Sequence, residues 1–239
     1  MKHVKRFLAL SLAAALLAGC VSCGNSDEKT SPTGGGSGVD STGDGGTLRI
    51  AMTCAALPNT DSEPTEGQEG YRFVSFQLYD ALGKWDASSE TEAGKIIPGL
   101  ATSWEQNPEN PKRWTFHLRE GVTFSNGTPF NADSVLANFD RMKKGPFESS
   151  FYGMNIDTIY PGLVSYEKTD DYAVVLTLSE GQPLLDYTMV NYGSAIFEPS
   201  CFAEDGTFAG FPIGTGPYVV TENVLGQYCV IERNDNYWG

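Results

Sequence analysis

The chain has little histidine. Its 239 residues hold two, His3 and His117, and His3 falls in a segment read below as a leader. A zinc site or a histidine-dependent triad needs more imidazole than this. Cysteine is sparse as well, with five residues and no metal-ligand spacing. Positive charge is scarce: 16 Lys and Arg stand against 30 Asp and Glu, a net charge of −14. Nucleic-acid binding needs phosphate-neutralising cations, and docking on anionic lipid needs a basic patch, so the balance argues against both. No apolar run approaches the ~20 residues of a membrane-spanning helix. Gly214-Thr215-Gly216-Pro217-Tyr218 lacks the lysine and the helix of a phosphate-binding loop. No nucleophile–base pair stands out. The expectation is a binding protein without a cofactor or metal, not an enzyme.

What is present points to a secreted, folded body. Hydrophobic residues make up 40% and aromatics 12%, the composition of a globular chain. Residues 1–19 read as a signal peptide. Lys2, Lys5 and Arg6 form its positive start, and Phe7 to Ala18 its apolar stretch. It ends Leu17-Ala18-Gly19-Cys20, which resembles a bacterial lipobox. That resemblance implies diacylglycerol on Cys20 and a stable lipid anchor. Residues 20–46 then hold the lipidated cysteine and a linker rich in Gly, Ser, Thr and Asp, a random-coil tether of roughly 25 Å. Cys20 and Cys23 form a CxxC pair, but at a lipid junction, where a redox role is not expected. Cys201 and Cys229 read either as a disulfide in an oxidising compartment or as two free buried thiols.

The folded part, 47–239, alternates strands and helices. Thr47 to Thr53 has strand periodicity. Tyr71 to Leu82 has a helical apolar face, with Gly83 as its cap. Trp114, Phe116 and Leu118 alternate with polar residues as a half-buried strand. Val122 to Phe124 resumes the pattern after Glu120-Gly121, as the second arm of a hairpin. Ser125-Asn126-Gly127 is a tight turn. Asn131 caps a helix running to Lys144, with Val135, Phe139 and Met142 on one face. Val164–Lys168 and Tyr172–Leu178 form a hairpin through Thr169-Asp170-Asp171. Pro183 opens a helix through Val190, and Ser200 caps a further turn. Val219–Thr221 and Tyr228–Glu232 pair around Leu225-Gly226-Gln227.

Three stretches, in order, resemble a known family. They are Pro98-Gly-Leu-Ala-Thr-Ser-Trp104 with the following WTFHLREGVTFSNGTPFNADSV, then Pro212-Ile-Gly-Thr-Gly-Pro-Tyr218, then Arg233-Asn-Asp-Asn-Tyr-Trp-Gly239. Leu78-Tyr79-Asp80-Ala81-Leu82 adds a fourth. The order and wording are similar to the oligopeptide, dipeptide and nickel solute-binding proteins of ABC importers. Asn126 stands where that family has Asp, and Ser134 where it often has a second acidic residue.

The resemblance implies an α/β (mixed α+β) fold: a type II periplasmic-binding-protein lobe of the Venus-flytrap kind, with an inserted β-rich subdomain at about 83–190. It implies a lipid-anchored monomer outside the cytoplasm, at the cell surface or in the periplasm. Such a protein captures a peptide or similar small solute and hands it to the permease subunits of an ABC transporter. Nickel or another solute is the alternative ligand, and a surface lipoprotein without a transport role the alternative function. Family members run to about twice this length, so a fragment or truncated product without the second lobe is expected. By family position, Leu57, Asn59, Thr60, Asp61, Phe147, Phe151 and Tyr152 face the ligand.

Overall fold

The computed structural model describes residues 46–51, 74–86, 88–144, 156–190, 192–224 and 227–239. The chain divides between Arg49 and Ile50, and every described helix and strand lies in the second unit. Thr47 to Ala51, expected as the start of a strand, is irregular, with Leu48 and Ile50 exposed. Its alternating pattern has no sheet to lie on among the described residues.

Among the described residues, eight strands form three antiparallel sheets. β1 (Gly83–Asp86) pairs with β2 (Lys95–Pro98). β3 (Ala101–Gln106), β4 (Arg113–Leu118), β5 (Leu163–Asp170) and β6 (Ala173–Leu178) form the largest sheet, in the order β3-β4-β6-β5. β7 (Tyr218–Val224) and β8 (Tyr228–Arg233) form a separate hairpin. Both of the latter hairpins, β5–β6 and β7–β8, stand where turn residues interrupt an alternating pattern. The helices are α1 (Phe76–Leu78), α2 (Ala132–Lys144), α3 (Ile156–Ile159) and α4 (Leu185–Thr188). No described helix is long and apolar enough to cross a membrane.

The core lies between α2 and the inner face of the four-stranded sheet. Phe116 is opposite Trp104 on one side and Val174 on the other, so three of the four positions in this cross-strand row are apolar, the edge position on β5 being Lys168. Phe139 of α2 meets this face, with its ring 5.0 Å from those of both Tyr160 and Tyr166. β6 is buried along nearly its whole length, whereas β4, the other inner strand, alternates.

Helix α2 begins as its sequence dictates. Asn131 Oδ1 accepts from the Ser134 main-chain N–H at 3.2 Å, and Asp133 lies in the first turn. Arg141, Lys143 and Lys144 fill the last turn, where the helix dipole favours cations. Asn131→Ala removes the cap and is expected to lower stability by about 1 kcal/mol, read as a shifted urea midpoint.

Four local expectations need correction. The strand at Trp114–Leu118 does not pair with Val122–Phe124. Its partners are β3 and β6, and Gly121, at φ 75°, turns the chain away from the sheet. Val122–Phe124 instead folds against Thr128–Phe130 around the Asn-Gly turn. The helix read through Leu82 ends at Leu78, for a reason given below, and Gly83 opens β1 rather than capping it. The helix expected from Pro183 to Val190 shrinks to α4. The short 3-10 turn Pro199–Cys201 is capped by Glu198, whose carboxylate takes the Ser200 N–H at 3.1 Å, not by Ser200.

Candidate functional site

The residues proposed from sequence for ligand contact, Leu57, Asn59, Thr60, Asp61, Phe147, Phe151 and Tyr152, lie outside the described residues, as does Cys20. The described residues instead bring together three of the sequence motifs: Leu78–Leu82, Pro212–Tyr218 and Arg233–Gly239.

The meeting begins with main chain. Leu78 O accepts from Gly216 N at 3.0 Å, and Asp80 O from Ile196 N at 3.0 Å. Ala81 O and Leu82 O accept from Leu100, Gly99 and Ala101. Residues 79–81 are therefore held between two loops, with Tyr79 extended at φ −128° and the chain bending at Leu82. A helix through Leu82 would need the Leu78 carbonyl for the Leu82 N–H, and Gly216 holds it instead. The loops come close because they carry glycine. A Cβ at Gly214 would lie 2.3 Å from Leu78 O, and one at Gly216 2.5 Å from Leu78 C.

Asp80 sits at the centre, 6% exposed. Its Oδ2 accepts from Thr215 Oγ1 at 3.0 Å and from Trp238 Nε1 at 2.9 Å. Its Oδ1 faces Lys84 Nζ at 3.2 Å. Lys84 also donates to Tyr237 Oη at 2.6 Å, and its ammonium lies 4.3 Å from the Trp238 ring centre. The Arg119 guanidinium is 4.4 Å from the same ring. Two cations thus flank an indole whose N–H is held by a carboxylate. Asn234 completes the fastening: its Nδ2 donates to Gly216 O at 2.9 Å.

This is a satisfied cluster. Asp80 has three donors, all supplied by the fold itself. Burial works to lower the Lys84 pKa, but the Tyr237 hydrogen bond and the Asp80 charge outweigh it and hold it above the ordinary 10.5. A raised lysine pKa stabilises the fold below the unfolded value and is lost as pH rises through the folded one. The difference in urea midpoint between the parent and Lys84→Met is therefore expected to shrink as pH climbs beyond 10.5.

The remaining candidates are quiet. His117 is exposed on β4. Cys201 and Cys229 are free thiols, the first buried and the second half-buried, which decides the alternative left open by sequence. Burial pushes the Cys229 thiol up to about 11, away from thiolate reactivity. Among the described residues no group of three or more His, Cys, Asp or Glu is placed to hold a metal. Sequence reasoning missed the roles of Asp80, Lys84 and Arg119. The available signal was a carboxylate inside the apolar run Leu78–Leu82 with a lysine four residues later.

Comparison with known proteins gives consistent matches. Residues 95–239 match the model for bacterial extracellular solute-binding proteins, family 5 Middle. The chain is 34% identical over 170 residues to the nickel-binding periplasmic protein of Escherichia coli, covering 70% of this chain and 30% of that protein. It is 32% identical over 226 residues to the dipeptide-binding protein of the same organism, covering 80% and 41%. Among solved structures, NikA from Brucella suis in complex with Fe(III)-EDTA aligns at TM-score 0.63 and 32% identity, over 78% of this chain and 35% of that one. DppA from Helicobacter pylori in complex with peptide STSA aligns at TM-score 0.63 and 25% identity, over 78% and 39%. The chain spans 30% and 41% of the lengths of the two curated relatives.

Proposed function

The chain belongs to the family 5 bacterial extracellular solute-binding proteins, and from that premise we propose that it acts as the substrate-binding component of an ABC importer. Members of this family are not enzymes. The protein captures a peptide or a similar small solute and presents it to the permease. The observation that carries this reading is the match to family 5 across residues 95–239, joined to the fold shared with NikA and DppA.

In this reading the folded part belongs to a type II, Venus-flytrap lobe with an inserted subdomain at about 83–190. Leu57, Asn59, Thr60, Asp61, Phe147, Phe151 and Tyr152 face the ligand, the aromatics giving it apolar contact area. Nickel bound as a chelate is the second reading, favoured by the 34% identity to the E. coli nickel-binding protein. The protein works outside the cytoplasm as a monomer, held to the membrane by lipid on Cys20.

The anchor and the transport role are tested together in the native host. Cys20→Ala is expected to move the protein from the detergent phase to the aqueous phase on detergent partition. Deleting the gene is expected to abolish uptake of a labelled peptide or of nickel, restored by the parent gene. Unchanged uptake of both in the deletion strain would reject the transport reading.

A further inference from the structure

We propose that Asn126 is a site of spontaneous covalent modification, a deamidation gated by the turn that holds it. Asn126-Gly127 is the one Asn-Gly pair in the chain. Asn126 and Gly127 are both exposed, and Gly127 has no neighbouring atom within 4 Å of where a Cβ would stand. The nucleophile, the Gly127 main-chain nitrogen, is thus unshielded by any side chain of its own.

The reaction needs no reactant other than water. The Gly127 nitrogen loses its proton and bonds to Cγ of Asn126. The bond from Cγ to the side-chain nitrogen breaks, ammonia leaves, and a five-membered succinimide closes. Water then opens the ring on either side. Opening at Cγ gives an ordinary aspartate, and opening at the main-chain carbonyl gives isoaspartate, with the peptide running through the side chain.

In the folded chain both reacting groups are occupied. Gly127 N donates to Phe124 O at 2.8 Å, and Asn126 Oδ1 accepts from Thr128 N at 3.0 Å. Phe124 N donates to Thr128 O at 2.8 Å, closing the turn from the other side. Ser125 N donates to Gly214 O at 2.9 Å, which fixes the turn to the loop beside Leu78. The reaction therefore proceeds from an opened turn, and its rate carries the open fraction as a factor. The two products differ in consequence. The aspartate product keeps an acceptor for Thr128. Isoaspartate adds a methylene to the main chain between Phe124 and Thr128 and loosens the link to Gly214.

The test incubates the full-length protein at mildly alkaline pH in water enriched in heavy oxygen, with and without denaturant, followed by peptide mapping. In denaturant, heavy oxygen is expected to enter the Asn126 peptide before any other asparagine peptide. In native buffer the same peptide is expected to convert at least about tenfold more slowly, as for other events gated by local opening. Conversion at Asn126 no faster than at other asparagines in denaturant would overturn the assignment. Equal rates with and without denaturant would overturn the gating.

Discussion

Asp80→Ala is expected to destabilise the fold by about 3 kcal/mol or more. The substitution removes the acceptor for Thr215 Oγ1 and Trp238 Nε1 together with the counter-charge of Lys84. Each buried donor left without a partner costs about 1–3 kcal/mol. Removing one partner of a buried ion pair costs about 3–5 kcal/mol, because the other charge stays behind. Lys84 is 31% exposed, so water recovers part of its loss, and the lower figure applies. Asp80→Asn keeps an oxygen acceptor and should fall between parent and alanine variant. Urea denaturation reads the effect as a lower midpoint at unchanged slope. An alanine variant within about 0.5 kcal/mol of the parent, the range of ordinary surface changes, would refute the role given to Asp80.

The second large effect comes from the loop that crosses Leu78. Gly214→Ala would put a methyl 2.3 Å from Leu78 O and 2.4 Å from the Tyr79 ring. Gly216→Ala would meet Leu78 main chain at 2.5 Å and Gln77 O at 2.7 Å. Main chain cannot move aside as a side-chain tip can, so the two crossing segments must separate. Overpacking of this kind costs about 1–3 kcal/mol and occasionally more, and backbone contacts this short put both variants at the upper end. The separation also stretches the Gly216 N–Leu78 O bond and the Thr215–Asp80 bond. Gly210→Ala is the control, since a Cβ there meets nothing within 4 Å. It should melt within about 1 kcal/mol of the parent, on either side, because replacing glycine also reduces unfolded-state entropy. Thermal unfolding of the three variants side by side tests the crossing directly.

Sequence carried the parts of the fold set by near neighbours. Helix α2 was legible from the Asn131 cap, the Val135–Phe139–Met142 spacing and the lysines at its end. The β5–β6 and β7–β8 hairpins were legible because their turns lie between their strands. The two largest failures were set at a distance. The helix reading through Leu82 rested on a genuine apolar period, but the Leu78 carbonyl is taken by Gly216, far along the chain. The partner of β4 depended on Gly121 turning Val122–Phe124 off the sheet. Asp80 was hidden for a related reason: a carboxylate in an apolar run looks like a solvent-facing position until its three donors arrive from other segments. The family motifs were readable as letters, and their shared physical task was not. Two glycines allow a close crossing, an aspartate ties it, and the final Tyr-Trp pair is bound to it. The residues proposed for ligand contact were named from family position, and they stand as proposals.

The most direct measurement is ligand-dependent thermal stability of the full-length protein, run against a panel of short peptides and a nickel–histidine chelate. A ligand held at about 100 times its Kd adds about 2.7 kcal/mol to the folded state, which appears as a rise in Tm of several degrees. Such a rise is expected for members of one ligand class, peptides before nickel chelate, and none for unrelated sugars or nucleotides. A Tm unmoved by every peptide and by the chelate would contradict the claim that this chain belongs to a solute receptor at work.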